Sequence, residues 1–213
     1  MLEPRAAPDF LFNGPATAPL TLALAHGAGV FMDSGFMAAF AEGLVVQGRG
    51  RWRVARFEFP YMAARRRDGR KRPPNPESSL LETWRRVIAT LGPERLVIGG
   101  KSLGGRMASM VADESGVLGL VCLGYPFHPT GKSEKLRVTH LNDLRTPTLI
   151  VQGTRDPFGT VAEVPNYPLS RNVAIHWIED GDHNLRPRKS AGRSVTHAWV
   201  EAISAVGDFL AGL

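Results

Sequence analysis

Gly99-Gly100-Lys101-Ser102-Leu103-Gly104-Gly105 is the stretch on which the reading of this chain turns. Gly100 to Gly104 fit the spacing G-x-S-x-G, in which a serine sits on a sharp turn between a strand and a helix. The flanks supply both elements: residues 95–99 read as a buried strand and residues 103–114 as a helix. A serine in such a turn has a strained backbone, and side chains two positions before and after it would collide with neighbouring elements. Glycines stand at both of those positions. The turn also sets the hydroxyl at a helix N-terminus, where unpaired N–H groups favour developing negative charge.

Outward from this motif, strands and helices alternate. Residues 20–25 are short and apolar and run into His26-Gly27-Ala28-Gly29, a buried strand entering a tight loop. The spacing of Phe36, Met37, Phe40, Leu44 and Val45 predicts a helix over 34–46, stopped by the glycines at 48 and 50. Residues 52–59 read as a second strand. Asn75 as cap and Pro76 in the first turn open the clearest helix, whose stripe is Leu80, Leu81, Trp84, Val87, Ile88 and Leu91. Further strands are predicted at 117–123, 148–152 and 173–178, and a last helix carries Trp199, Ile203, Val206 and Leu210 on one face. The connection 125–144 contains Pro126, Pro129 and Gly131, with a short helical piece expected near 132–136. Near-continuous apolar strands between helices predict an α/β fold: a three-layer sandwich with a mostly parallel, six- or seven-stranded sheet and helices on both faces. Such sheets bind ligands beyond the carboxyl ends of their strands, so reactive residues just after strand ends weigh most.

Two other strand ends carry such residues. Asp156 lies in Gly153-Thr154-Arg155-Asp156-Pro157 and His183 in Gly181-Asp182-His183-Asn184, giving the chain order serine, acid, histidine that goes with this elbow. In acyl transfer Ser102 would attack a carbonyl carbon. His183 would take its proton and return it to the leaving group, while Asp156 would fix the imidazole tautomer. The oxyanion needs two donors, read as the N–H of Leu103 and that of Ala28. Asp156 before Pro157 could instead simply open a turn, and Asp180 and Asp182 are rival acids, though close in sequence to His183. His26 is read as serving loop structure. His128, His140, His176 and His197 lack a matching context.

His26 to Gly29, the run Gly99 to Ala108, Gln152 to Asp156 and Gly181-Asp182-His183 together resemble a small-hydrolase branch of the α/β-hydrolase superfamily, over residues 19–213. The sequence is similar to dienelactone-hydrolase-like proteins. Among them it looks like the branch of the testis-expressed hydrolase-like protein and a non-enzymatic subunit of the nonspecific-lethal chromatin acetyltransferase complex, with Tyr125-Pro126-Phe127-His128-Pro129 adding to the likeness. The resemblance implies a minimal α/β-hydrolase fold with Ser102 as nucleophile, Asp156 as acid and His183 as base. Dienelactone hydrolase has a cysteine where Ser102 stands, which separates this chain from dienelactone as substrate.

Composition bounds the rest. A chain of 213 residues, 43% hydrophobic and 22% charged, fits one domain spanning 1–213 with 1–18 as an N-terminal extension. Such a chain hides roughly 70% of its unfolded surface and needs no disulfide or structural metal. The one cysteine, Cys122, sits in an apolar run and is read as buried and inert. The start Met1-Leu2-Glu3-Pro4-Arg5 has no signal layout, and no stretch approaches the roughly 18 apolar residues of a membrane helix. A soluble, cytoplasmic protein with no membrane partner is therefore expected. The net charge of +6 concentrates in Arg65-Arg66-Arg67-Asp68-Gly69-Arg70-Lys71-Arg72, inside a segment, 60–76, read as a basic, Pro-rich loop. No base-stacking motif accompanies it, so nucleic acid is not the expected partner; overhanging the site and attracting an anionic substrate is a second reading of the run.

Phe59, Tyr61, Tyr125 and Phe127 flank the active edge and are candidate substrate-binding walls, the plainer reading being that several are core. The connection 125–144 is too short for a cap domain. The function expected is a serine hydrolase acting on a small carboxylic ester, with no cofactor and no metal; amide, thioester and carbon–carbon cleavage use the same groups. A reading from another class is a non-catalytic binding or scaffold module on the same fold.

Overall fold

The computed structural model describes residues 8–213. Its elements run β1 (Phe10–Asn13), β2 (Leu20–Ala25), α1 (Gly35–Gly48), β3 (Trp52–Phe57), α2 (Pro60–Asp68), α3 (Glu77–Leu91), β4 (Leu96–Lys101), α4 (Leu103–Ser109), α5 (Ala112–Ser115), β5 (Gly119–Leu123), α6 (Thr139–Asn142), β6 (Thr148–Gly153), β7 (Val173–Ile178) and α7 (Val195–Ala211). The strands form one seven-stranded sheet in the order β1-β3-β2-β4-β5-β6-β7. All pairings are parallel except that of β1 with β3.

Alternate residues of each strand supply two cores. Ala23, Ala25, Ile98, Leu120, Cys122 and Ile150 face one side, where Leu80, Trp84, Val87 and Ile88 of α3 and Met107 of α4 cover them. Leu22, Leu24, Val97, Val121 and Val151 face the other, against Met37, Phe40 and Leu44 of α1 and Ala198, Ala202 and Val206 of α7. Burial on both faces explains why the central strands read as continuous apolar runs. Among the described residues no helix is long and apolar enough to cross a membrane.

The strand order reverses at β2, and this positions the site. From β2 the chain leaves through α1 on one face, and from β4 through α4 on the other. The two loops diverge, which opens a crevice between them at the carboxyl edge.

Several boundaries differ from the sequence reading. The extension 1–18 contributes β1, a short edge strand; residues 1–7 lie outside the described residues. The segment 60–76 is a loop only in its second half, because Pro60 starts α2 and the arginines 65–67 fill its last turn, where cations favour the helix C-terminus. Arg66 there bonds Asp33 and Glu58. Asn75 does not cap α3; its Oδ1 accepts from the N–H of Tyr61 instead. The helix expected over 103–114 breaks into α4 and α5, and the helical piece expected at 132–136 falls later, at α6.

Candidate active site

Ser102 has φ 50° and ψ −113°, a strained backbone for a residue with a side chain. The turn is this tight because strand β2 runs directly beneath it: a Cβ on Gly100 or Gly104 would overlap the carbonyl oxygen of Ala25. The N–H of Ser102 bonds Leu123 O at 3.1 Å, and its carbonyl accepts from Arg106 N in the first turn of α4. The elbow is thus held by β2, β5 and its own helix.

The loops after β6 and β7 meet it. A Cβ on Gly153 would overlap the backbone of Gly181, so the two loops touch, and Arg155 N donates to Gly181 O at 2.9 Å. His183 Nδ1–H donates to Asp156 Oδ2 at 2.7 Å, and Ser102 Oγ–H donates to His183 Nε2 at 2.9 Å. Asp156 is fully buried and accepts two further bonds, from Gln152 Nε2 at 3.0 Å and from Phe158 N at 2.9 Å. An acceptor-only carboxylate at Nδ1 fixes the tautomer that leaves Nε2 free to accept. The rival acids are committed elsewhere. Asp180 bonds Arg155 and Arg188, and the Arg188 guanidinium holds its carboxyl below the usual carboxylate range. Asp182 accepts from the N–H groups of Asn184 and Arg186.

Above Ser102 and His183 lies a cavity of about 560 Å³. Ala28 is exposed at its rim, and Phe36, Phe158 and Trp199 give it apolar walls. The Phe158 ring lies 4.4 Å from that of His183, and Phe36 meets Trp199 edge-on at 5.3 Å. Among the described residues no His, Cys, Asp and Glu cluster could hold a metal ion.

The model of an alpha/beta hydrolase domain family matches residues 18–211. The chain belongs to that family. Solved structures share the fold at low identity. An esterase domain from Rhodothermus marinus matches at 15% identity and TM-score 0.66, covering 93% of this chain and 90% of that one. An alpha-beta serine hydrolase homologue from Coxiella burnetii matches at 18% and 0.67, covering 92% and 89%. A serine hydrolase without lid from Xanthomonas campestris matches at 15% and 0.66, covering 95% and 87%.

Within this alpha/beta hydrolase, four expected pocket walls are elsewhere. Phe59, Tyr61, Tyr125 and Phe127 are at most 2% exposed and belong to the core on the α3 side of the sheet. A strand end names the edge of a sheet but not the face to which the next side chain turns. Tyr61 still bears on the site indirectly, because its hydroxyl donates to Ala28 O at 2.8 Å. His26 holds the same loop: Nδ1–H donates to Gly27 O, Nε2 accepts from Phe59 N, and burial lowers its pKa. His140 bonds Ser109, His176 bonds Glu201, and His128 bonds Pro129 O; none of them touches Ser102.

Three features of the alpha/beta hydrolase site escaped the sequence reading. Phe36 and Trp199 carry helix-stripe spacing, which reads as packing, whereas Phe158 has a signal in standing two residues after the acid. Gln152 is fully buried, holds Asp156, and exchanges bonds with the backbone of Tyr125. Lys101 is 4% exposed, and burial lowers its pKa from 10.5 to about 8. The unfolded chain therefore binds the Lys101 proton more tightly, and the contribution of Lys101 to stability rises with pH between about 8 and 10.5, by up to roughly 1.4 kcal/mol per pH unit. Chemical denaturation of wild type and Lys101→Met across that window is expected to shift in favour of wild type as pH rises; a constant difference would contradict the assignment.

Proposed function

We propose that this alpha/beta hydrolase is a serine hydrolase that cleaves a small carboxylic ester through an acyl-enzyme on Ser102. The observation that supports this most is the continuous relay from Ser102 Oγ through His183 to buried Asp156, at 2.9 and 2.7 Å. In this reading His183 Nε2 takes the Ser102 proton as Oγ attacks the carbonyl carbon. The resulting imidazolium is stabilised by Asp156 and gives its proton to the leaving alcohol. Water then attacks the acyl-enzyme with His183 again as base, releasing acid and free Ser102.

The tetrahedral oxyanion would be held by the N–H of Leu103, the first residue of α4 and so without an intrahelical acceptor, and by that of Ala28 at the cavity rim. Each such donor contributes on the order of 3 kcal/mol to the transition state. A cavity of about 560 Å³ suits a small molecule, and its walls suit an apolar acyl or alkyl group.

Steady-state assays on short and long para-nitrophenyl esters test the proposal, with saturable turnover expected. A folded protein inert across the series would favour the scaffold reading. Phe36→Ala is expected to raise KM for apolar acyl esters roughly tenfold and to change kcat little, because it removes a wall and touches no member of the relay. An unchanged KM would place the acyl group elsewhere.

A further inference from the structure

We infer that Lys101 is a positioning residue whose ammonium clamps the loop carrying His183 to the strand that carries the nucleophile. The inference rests on the assignment of Ser102 and His183 above. Lys101 is the last residue of β4, directly before Ser102, and its Nζ donates to the carbonyl oxygen of His183 at 2.5 Å, across 82 residues of sequence. The other bonds of the histidine loop act differently, and the one from Trp199 Nε1 to Asn184 O, at 3.0 Å, ties it to α7. Asp182 N to Arg186 O, Leu185 N to Asp182 O and Asn184 N to Asp182 Oδ1 are internal and shape the turn, while Arg155 N to Gly181 O ties it toward β6. Lys101 supplies the tie to β4, and so to Ser102 itself.

Space is left for this side chain on both flanks. A Cβ on Gly27, after β2, would sit 3.4 Å from Lys101 Cγ. On Gly124, after β5 and at φ 67°, it would sit 2.9 Å from Lys101 Nζ and 2.8 Å from His183 O. The stem thus passes Gly27 and the ammonium passes Gly124, both positions without a side chain. The ammonium sits in the field of Asp156 and Asp182 and 5.7 Å from the centre of the Phe36 ring. Burying a cation is unfavourable, and an apolar residue would fill the same space without that cost. What the ammonium adds is a directed bond to the backbone of His183. Because displacing a reacting group by about 1 Å can cost on the order of a hundredfold in rate, the tie governs how well Nε2 stays on Ser102 Oγ.

The test uses Lys101→Met, which keeps the stem, and Lys101→Gln, which keeps an N–H donor without the charge. Lys101→Met is expected to lower kcat on an ester by about a hundredfold with KM within about threefold, and to slow fluorophosphonate labelling of Ser102 to the same degree. Lys101→Gln is expected to recover part of the loss. A readout independent of turnover is the strongly deshielded proton resonance of His183 Nδ1–H on Asp156, expected in wild type and weakened or absent in Lys101→Met. Wild-type kcat and an unchanged resonance in folded Lys101→Met would overturn the clamp. Absence of turnover and labelling in wild type would instead overturn the hydrolase reading, and the resonance would then decide the clamp alone.

Discussion

Ser102→Ala is expected to lower kcat by about six orders of magnitude while leaving melting temperature and circular dichroism unchanged. The separation of effects follows from how the serine is held. Its strained backbone is imposed by β2, by the bond from its N–H to Leu123 O and by the first turn of α4, none of which involves the hydroxyl. Alanine keeps the Cβ and so neither relieves nor adds strain. The hydroxyl makes a single bond, to His183 Nε2, and that bond matters only for chemistry. Because the three residues act as a unit, adding His183→Ala to Ser102→Ala is expected to cost nothing further. Near-normal turnover of Ser102→Ala would mean that the nucleophile lies elsewhere.

Gly99→Ala carries the largest expected effect on stability. Gly99 sits in the middle of β4, paired with Leu24 on one side and Val121 on the other. Replacing glycine by alanine in a strand gains roughly 0.5–1 kcal/mol through backbone entropy. Here the added Cβ would overlap Val121 O and sit 2.9 Å from its carbonyl carbon. Strand β5 cannot withdraw, because it is bonded to β6 on its far side. The clash therefore wins, with an expected loss of roughly 3 kcal/mol or more. Thermal unfolding is expected to move down by about 6–12 °C in a chain of this size. An unchanged melting temperature would mean that the β4–β5 ladder is looser than described.

How far the molecule is legible from its sequence depends on whether a residue's role is local. The strands Leu20–Ala25 and Val173–Ile178 coincide with the predicted runs because turn residues bound each one. The strand Phe10–Asn13 was missed because it is short, lies at an edge and shows only partial burial. Helix α2 hid behind its arginines, whose charge reads as loop although Pro60 and the buried Tyr61 and Met62 order its first turn. The candidate relay was legible because the elbow demands glycines at fixed spacing and the acid and base follow strand ends in a set order. The cavity walls were not, since Phe36 and Trp199 approach Ser102 only when α1 and α7 pack on one face of the sheet. Gln152 and Lys101 were opaque for a related reason: each acts on a residue distant in sequence, and no spacing rule connects them.

Fluorophosphonate labelling of the folded protein, read by intact mass and peptide mapping, bears most directly on the proposed activated serine. The expected result is one adduct per chain, on Ser102, absent from Ser102→Ala and slowed on the order of a thousandfold or more in His183→Ala and Asp156→Asn. A folded wild type without adduct, or labelling undiminished in Ser102→Ala, would contradict it.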